Sequence, residues 1–279
     1  SLLYPQGHPY SWTTIGSMAD LDAAQLEDVN QFFRTYYAPN NASIAIVGDV
    51  NPAQVRQWVE RYFGWIPRNA DVQRPTNPMP QLAGTTYTVR EDRVTLPELT
   101  MIWRTDKRFS QDEAALNALS SILTGGKSSR LYKRLVYDEQ VAALTSAWND
   151  ASLISGDFWM RVRAKPDVDL DRIETAVMEE VARVAAAPPS QEELDRVING
   201  LVTGFVSGLE TVEGKADRLN DYLYFTGNPD YAEQDLARYR ALTPADIQRV
   251  ARQYLAGRNH VVISIVPTGK TELAAQENQ

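Results

Sequence analysis

Residues 28–47, DVNQFFRTYYAPNNASIAIV, and residues 246–265, DIQRVARQYLAGRNHVVISI, decide how this chain is read. Asp28-Val29 lines up with Asp246-Ile247, Phe32 with Val250, Tyr36 with Tyr254 and Ala38 with Ala256. Asn41 then meets Asn259, Ile44 meets Val262 and Val47 meets Ile265, all at a constant offset of 218 residues. Apolar matches alone carry little, because any helix followed by a strand shares this periodicity. The Asp, Tyr and Asn matches in the same register make duplication the better reading.

With a repeat of that length, the first-copy counterpart of strands near residue 86 falls before residue 1. Residues 1–66 therefore read as the tail of a first copy, 67–84 as a linker and 85–279 as a nearly complete second copy. The opening Ser1-Leu2-Leu3-Tyr4-Pro5 lacks an initiator Met, a basic segment and a small-residue cleavage site, and reads as a chain that begins within a domain.

Outward from the repeat, Asp22 and Gln25 are placed for a capping box ahead of a helix carrying Val29, Phe32, Phe33 and Tyr36. Ser43–Val47 is β-rich and closed by Gly48-Asp49, and Pro52 opens a helix through Val55, Trp58, Val59 and Tyr62. Pro67, Pro75, Pro78 and Pro80 mark the linker, since each removes a backbone donor and biases its predecessor to extended geometry. Strands are expected near Thr86–Val89 and Leu99–Arg104. Ser110 and Glu113 are placed to cap a helix that Gly125-Gly126 breaks, and Ser128–Gln140 reads as another. Strands follow at Ala142–Trp148 and Asp157–Arg163, the latter alternating Phe158, Met160 and Val162 with Trp159, Arg161 and Arg163. Helices at Val168–Val184, from Ser190, and at Lys215–Phe225, Tyr231–Leu242 and Pro244–Leu255 precede a strand at Val261–Val266. The class is α+β, a duplicated domain with helices packed on an antiparallel sheet and the first copy truncated.

Hydrophobic content of 43% and charged content of 23% fit a globular chain. A net charge of −8 repels nucleic acid and anionic membranes. Absence of Cys excludes disulfides and thiolate chemistry and leaves the compartment open between periplasm and cytoplasm. No run approaches the roughly 20 apolar residues that span a bilayer.

Two stretches resemble a known family. Gly7-His8-Pro9-Tyr10, Thr14-Ile15-Gly16-Ser17, Phe32–Ala42 and Val47-Gly48-Asp49-Val50 are similar to the latter part of the first domain of pitrilysin/insulinase-type zinc metallopeptidases. Gly125-Gly126-Lys127-Ser128-Ser129-Arg130-Leu131-Tyr132 resembles their second-domain signature. The resemblance implies a zinc endopeptidase acting on peptides and short unfolded segments within a closed chamber. It places the zinc ligands, an inverted H-x-x-E-H motif and a distal Glu, in the first domain, upstream of Gly7. Zinc is thus expected in the parent protein and none on this chain, and no residue here is carried over as catalytic or as a metal ligand. The family's substrate-holding Arg and Tyr, seven residues apart, align with Val136 and Ala143, which donate no side-chain hydrogen bond. That departure resembles the two-subunit branch, in which a homologous partner subunit supplies the Arg and Tyr. A homodimer, and a non-catalytic core or assembly subunit of the same fold, stay open, as does an unrelated peptide-binding α+β module.

Other chemistry is poorly supported. His8 and His260 have no ligand spacing. Gly126-Lys127-Ser128 lacks the upstream Gly of a phosphate loop, that place being Ser121, and follows a helix rather than a strand. The tryptophans read as core. Gly125, Gly126, Ser128 and Arg130 are candidates to line a substrate cleft, and Trp159 is another, because it shares a strand face with Arg161 and Arg163.

Overall fold

The computed structural model describes residues 2–76, 79 and 81–277. Helices α1 (Met18–Ala23), α2 (Leu26–Tyr36) and α3 (Pro52–Phe63) precede strands β1 (Thr86–Asp92) and β2 (Glu98–Thr105). Helix α4 (Glu113–Thr124) and a π-helical turn, Tyr132–Asp138, lead into the hairpin of β3 (Ala142–Ala151) and β4 (Gly156–Ala164). Five helices follow: α5 (Leu170–Ala186), α6 (Gln191–Gly208), α7 (Val212–Thr226), α8 (Ala232–Arg240) and α9 (Pro244–Val250). A second π-helical turn, Ala251–Leu255, extends α9 before the last strand, β5 (Val261–Pro267). Among the described residues no helix is long and apolar enough to cross a membrane. The chain gathers into two compact units, one comprising Gln6–Asn77 with Phe205–Ala232, the other Leu2–Pro5, Pro78–Gly204 and Glu233–Gln279.

The second unit is built on a five-stranded sheet of order β1-β5-β2-β4-β3. The antiparallel expectation holds for three of its pairings, but β1 runs parallel to β5, with Thr86 opposite Val261 and Asp92 opposite Pro267. These two strands open and close the unit. Everything between them is therefore the long crossover that a parallel pair requires. Strand alternation sends Phe158, Met160 and Val162 of β4 and Leu99, Met101 and Trp103 of β2 to one face. There they form one core with Leu116 and Leu119 of α4, Ile173 and Val177 of α5, and Ile247 and Val250 of α9. Each such side chain contributes roughly 1.5–3 kcal/mol on burial.

In the first unit, Asn51 caps α3 by accepting from the amides of Ala53 and Gln54 at 3.0 and 3.2 Å. Helices α1, α2 and α3 bury no residue completely. The strand expected at Ser43–Val47 is absent: these residues have no regular secondary structure and lie in no sheet. A strand needs a neighbour to receive its alternate N–H and C=O groups. Instead, Ser43 Oγ donates to Asn220 Oδ1 at 3.0 Å. Part of the Pro-rich stretch is tied down, since Asn40 Nδ2 donates to Asp71 Oδ1 at 3.0 Å and the Arg74 guanidinium stacks 4.9 Å from the Tyr224 ring. Pro78 and Pro80 lie outside the described residues.

Some local readings are corrected. Helix α2 starts after Gln25, whose N–H donates to Asp28 Oδ2 at 2.8 Å, so the Asp22–Gln25 box does not form. The Ser110 hydroxyl does not cap α4 and reaches no partner. Glu113 instead accepts from Phe109 N at 2.7 Å and from Arg238 at 3.1 Å. Of the tryptophans, only Trp103 is fully buried, while Trp12, Trp58 and Trp65 are exposed and Trp148 and Trp159 half-buried.

Candidate functional site

The side chains that alternate with the core layer define a second sheet face. On β4 these are Asp157, Trp159, Arg161 and Arg163. Register places Trp148 and Ile102 on either side of Trp159, Ser146 and Thr100 beside Arg161, and Asp150 and Arg104 beside Asp157. The indoles of Trp148 and Trp159 stack at 5.6 Å with an interplanar angle of 7°. Across them the Arg161 guanidinium lies 5.4 Å from the Trp148 ring. Glu98 holds both cations in place, 3.3 Å from Arg161 Nε and 2.9 Å from Arg163 Nη2. The Trp159 indole N–H is withdrawn from water and reaches no acceptor, leaving a donor whose desolvation nothing offsets. Two stacked indoles beside a fixed guanidinium present a half-buried apolar surface with a cation at its edge.

The end of this face is ionisable. Tyr4 Oη is 3.1–3.2 Å from both Asp157 oxygens and 3.1 Å from Ser155 Oγ, and the Arg104 guanidinium lies 4.3 Å from the Tyr4 ring. Burial pushes the Asp157 carboxyl up to about 6, against the opposing pulls of the Tyr4 hydroxyl and the Arg104 charge. Burial and the facing Asp157 likewise push the Tyr4 phenol up, so it is a hydrogen-bond donor at neutral pH.

The glycine turn lies elsewhere. Gly125 terminates α4, and Gly126 adopts φ +87°, a conformation other residues rarely take. Thr124 Oγ1 accepts from Ala147 N at 2.7 Å, which fixes the start of the turn against β3, and Ser128 is exposed. Arg130 turns away into a bidentate pair with Glu193 of α6, at 2.9 and 2.8 Å. The structure thus groups Trp159 with Trp148, Arg161 and Arg163 on the sheet face, while Gly125, Gly126, Ser128 and Arg130 belong to the turn after α4. Val136 packs against the core and Ala143 is exposed on β3.

Both histidines are buried, in different units. His8 Nδ1 accepts from Tyr10 N at 3.1 Å. His260 stacks on Trp103 at 4.7 Å and lies 3.9 Å from Glu174, and burial lowers its pKa. Among the described residues no group of three or more His, Asp or Glu side chains could hold a metal ion.

Sequence reading missed Trp148, Glu98, Tyr4, Asp157 and Arg104. Trp148 carried a usable signal: the turn in which Ser152 N donates to Ser155 O at 2.9 Å makes positions 148 and 159 symmetric about the hairpin.

Residues 23–201 match the family described as the peptidase M16 inactive domain. A curated relative, the zinc protease PqqE of Helicobacter pylori, is 29% identical over 266 residues, covering 93% of this chain and 59% of the relative. A protease from Helicobacter pylori has a crystal structure that superimposes with a TM-score of 0.83 at 26% identity, over 93% of this chain and 63% of that one. The peptidase M16 inactive domain from Pseudomonas fluorescens superimposes with a TM-score of 0.81 at 19% identity, over 99% and 64%. The chain therefore spans about three-fifths of the length of these proteins.

Proposed function

Because the chain belongs to the peptidase M16 inactive-domain family, we propose that it holds peptides for a zinc-bearing catalytic domain and does not hydrolyse them itself. The observation that carries this reading is the face of Trp148, Trp159 and Arg161, where stacked indoles sit beside an indole N–H without an acceptor. Such a surface suits an unfolded segment, which presents side chains and carbonyls alternately.

In this reading residues 1–66 are the end of a first copy of the fold, 67–84 the linker and 85–279 the second, non-catalytic copy. Supporting it are the 218-residue repeat and an open apolar groove of about 470 Å³ lined by Ile44, Ile46, Val50, Val55 and Val59. Further strands of a first copy would fill that groove. The zinc of the parent protein would be held by that first copy, and the sheet face described here would be one wall of the peptide chamber. Val136 and Ala143 at the positions of the substrate-holding Arg and Tyr favour a homologous partner subunit as the source of those groups.

The test is a titration of an unstructured decapeptide monitored by tryptophan fluorescence. Saturable quenching is expected, with Trp159→Ala weakening affinity about tenfold, equivalent to about 1.4 kcal/mol. Absence of binding, or zinc-dependent cleavage by this chain alone, would sink the proposal.

A further inference from the structure

Arg104, the last but one residue of β2, stands on the open face and is 8% exposed. Its Nε and Nη1 are buried and meet no hydrogen-bond acceptor among the described residues. The carboxylate opposite it, Asp157, takes its hydrogen bond from the Tyr4 hydroxyl, so the guanidinium feels the Asp157 charge and stacks 4.3 Å from the Tyr4 ring without a hydrogen bond to either. A cation left in this state costs several kcal/mol unless something accepts its hydrogen bonds. Arg104 also lines a cavity of about 470 Å³ in the second unit, within the range of small-ligand sites. Leu82 and Tyr254 give that cavity apolar surface, Arg258 adds a second cation, and Asp106 supplies an acceptor.

We infer that this cavity binds a carboxylate, with Arg104 as its receptor. A carboxylate matches an arginine in charge and geometry and offers about four lone pairs to its donors. A dianion such as phosphate fits less well, because Asp106 lines the cavity and Asp157 and Asp150 lie side by side across the strands. The inference rests on the peptide-holding reading and sharpens it. Asp157, opposite Arg104, is two residues from Trp159 on β4, roughly 7 Å along the strand. A peptide whose terminal carboxylate met Arg104 would lay its preceding side chains toward the stacked indoles. A peptide C-terminus, an acidic side chain and a free small acid share the required chemistry.

Four ligands separate these sources: a decapeptide with a free C-terminus, its C-terminal amide, the amide with an internal Glu, and acetate. Calorimetry and tryptophan fluorescence are measured on the wild type, Arg104→Gln and Arg104→Lys. The free acid is expected to bind at least tenfold more tightly than the amide. That ratio should fall to about one in Arg104→Gln and recover partly in Arg104→Lys. Recovery of affinity by the internal Glu assigns an acidic side chain as source, and competition by acetate alone assigns a small acid. If Arg104→Gln does not fold, the wild-type ratio and the acetate competition still decide. Equal binding of acid and amide with no effect of acetate overturns the carboxylate site while peptide quenching leaves the open-face reading standing. Binding of none of the four overturns both.

Discussion

Val29, Phe32, Phe33 and Tyr36 on α2 align, at an offset of 218 residues, with Ile247, Val250, Ala251 and Tyr254 on α9 and its π-helical extension. The first four are 45–51% exposed and the second four 0–9% exposed. Local structure does not account for the difference. In both segments the helix opens with an Asp accepting the N–H of the residue three positions earlier, Asp28 from Gln25 at 2.8 Å and Asp246 from Thr243 at 3.0 Å. The two segments diverge where partners enter, because β5 lies between β1 and β2 whereas residues 43–47 have no strand beside them among the described residues. An amphipathic pattern therefore specifies which face is to be buried, and the burial itself is supplied by other elements.

Hydrogen exchange gives the largest expected contrast. Amides of Val261–Val266 should open only with global unfolding, a cost of order 5–15 kcal/mol, while those of residues 43–47 should exchange close to the rate of an unfolded chain. Comparable protection of both segments would show that residues 43–47 have a strand partner in solution and would break the comparison. Next in size are paired core substitutions. Ile247→Ala should lower stability by about 2–5 kcal/mol, and Val29→Ala by less than about 0.5 kcal/mol, in urea denaturation. A cost above about 2 kcal/mol for Val29→Ala would mean that α2 is covered, for instance by a second molecule.

The elements were largely legible in the sequence because their signals are local. Alternation of Phe158, Met160 and Val162 with Trp159, Arg161 and Arg163 gave β4 and both of its faces. Ser43–Val47 was misread for a physical reason: β-rich composition records a preference for a pleated, half-buried surface, and the neighbour that provides it is not encoded in the segment. The parallel β1–β5 pairing was hidden likewise, since it joins residues about 175 positions apart. Trp159 was read as a site candidate from its own strand, but its companions arrive from β3 and β2. Arg104 gave no sequence signal, because an arginine at a strand end ordinarily reaches water.

Titration sharpens the comparison at a smaller scale, because the large upward carboxylate shift belongs to the second unit. Asp157 has its pKa pushed up to about 6 by burial, above the unfolded value of about 3.9. The folded state thus binds this proton more tightly than the unfolded chain, so the sign is inverted relative to a salt-bridged carboxylate. Stability from this group is gained as pH falls from about 6 toward 4 and lost as pH rises through that window. Asp157→Asn should therefore be more favourable relative to wild type at pH 7.5 than at pH 4, by about 1–2 kcal/mol after allowance for partial solvation. Urea midpoints for the two proteins at both pH values measure it, and a pH-independent difference would contradict the assignment.

The smallest expected contrast isolates the shared helix start. Asp246→Ala and Asp28→Ala each delete a carboxylate that accepts a helix-initial N–H, so the lost bond is the same in kind. Asp246 also accepts from the Thr243 hydroxyl at 2.6 Å, and these bonds hold its carboxyl below the usual range. Helix α9 is part of the main core, so fraying its first turn uncovers Ile247, and Asp246→Ala should cost about 1 kcal/mol at neutral pH. With its folded pKa depressed, that contribution is present above the unfolded value near 3.9 and is lost as pH falls below it. Helix α2 has little burial to lose when its first turn opens, so Asp28→Ala should cost only a few tenths of a kcal/mol. Equal costs would mean that the cap's worth is intrinsic to the turn. Unequal costs would mean that a cap contributes to global stability only through the packing it keeps closed.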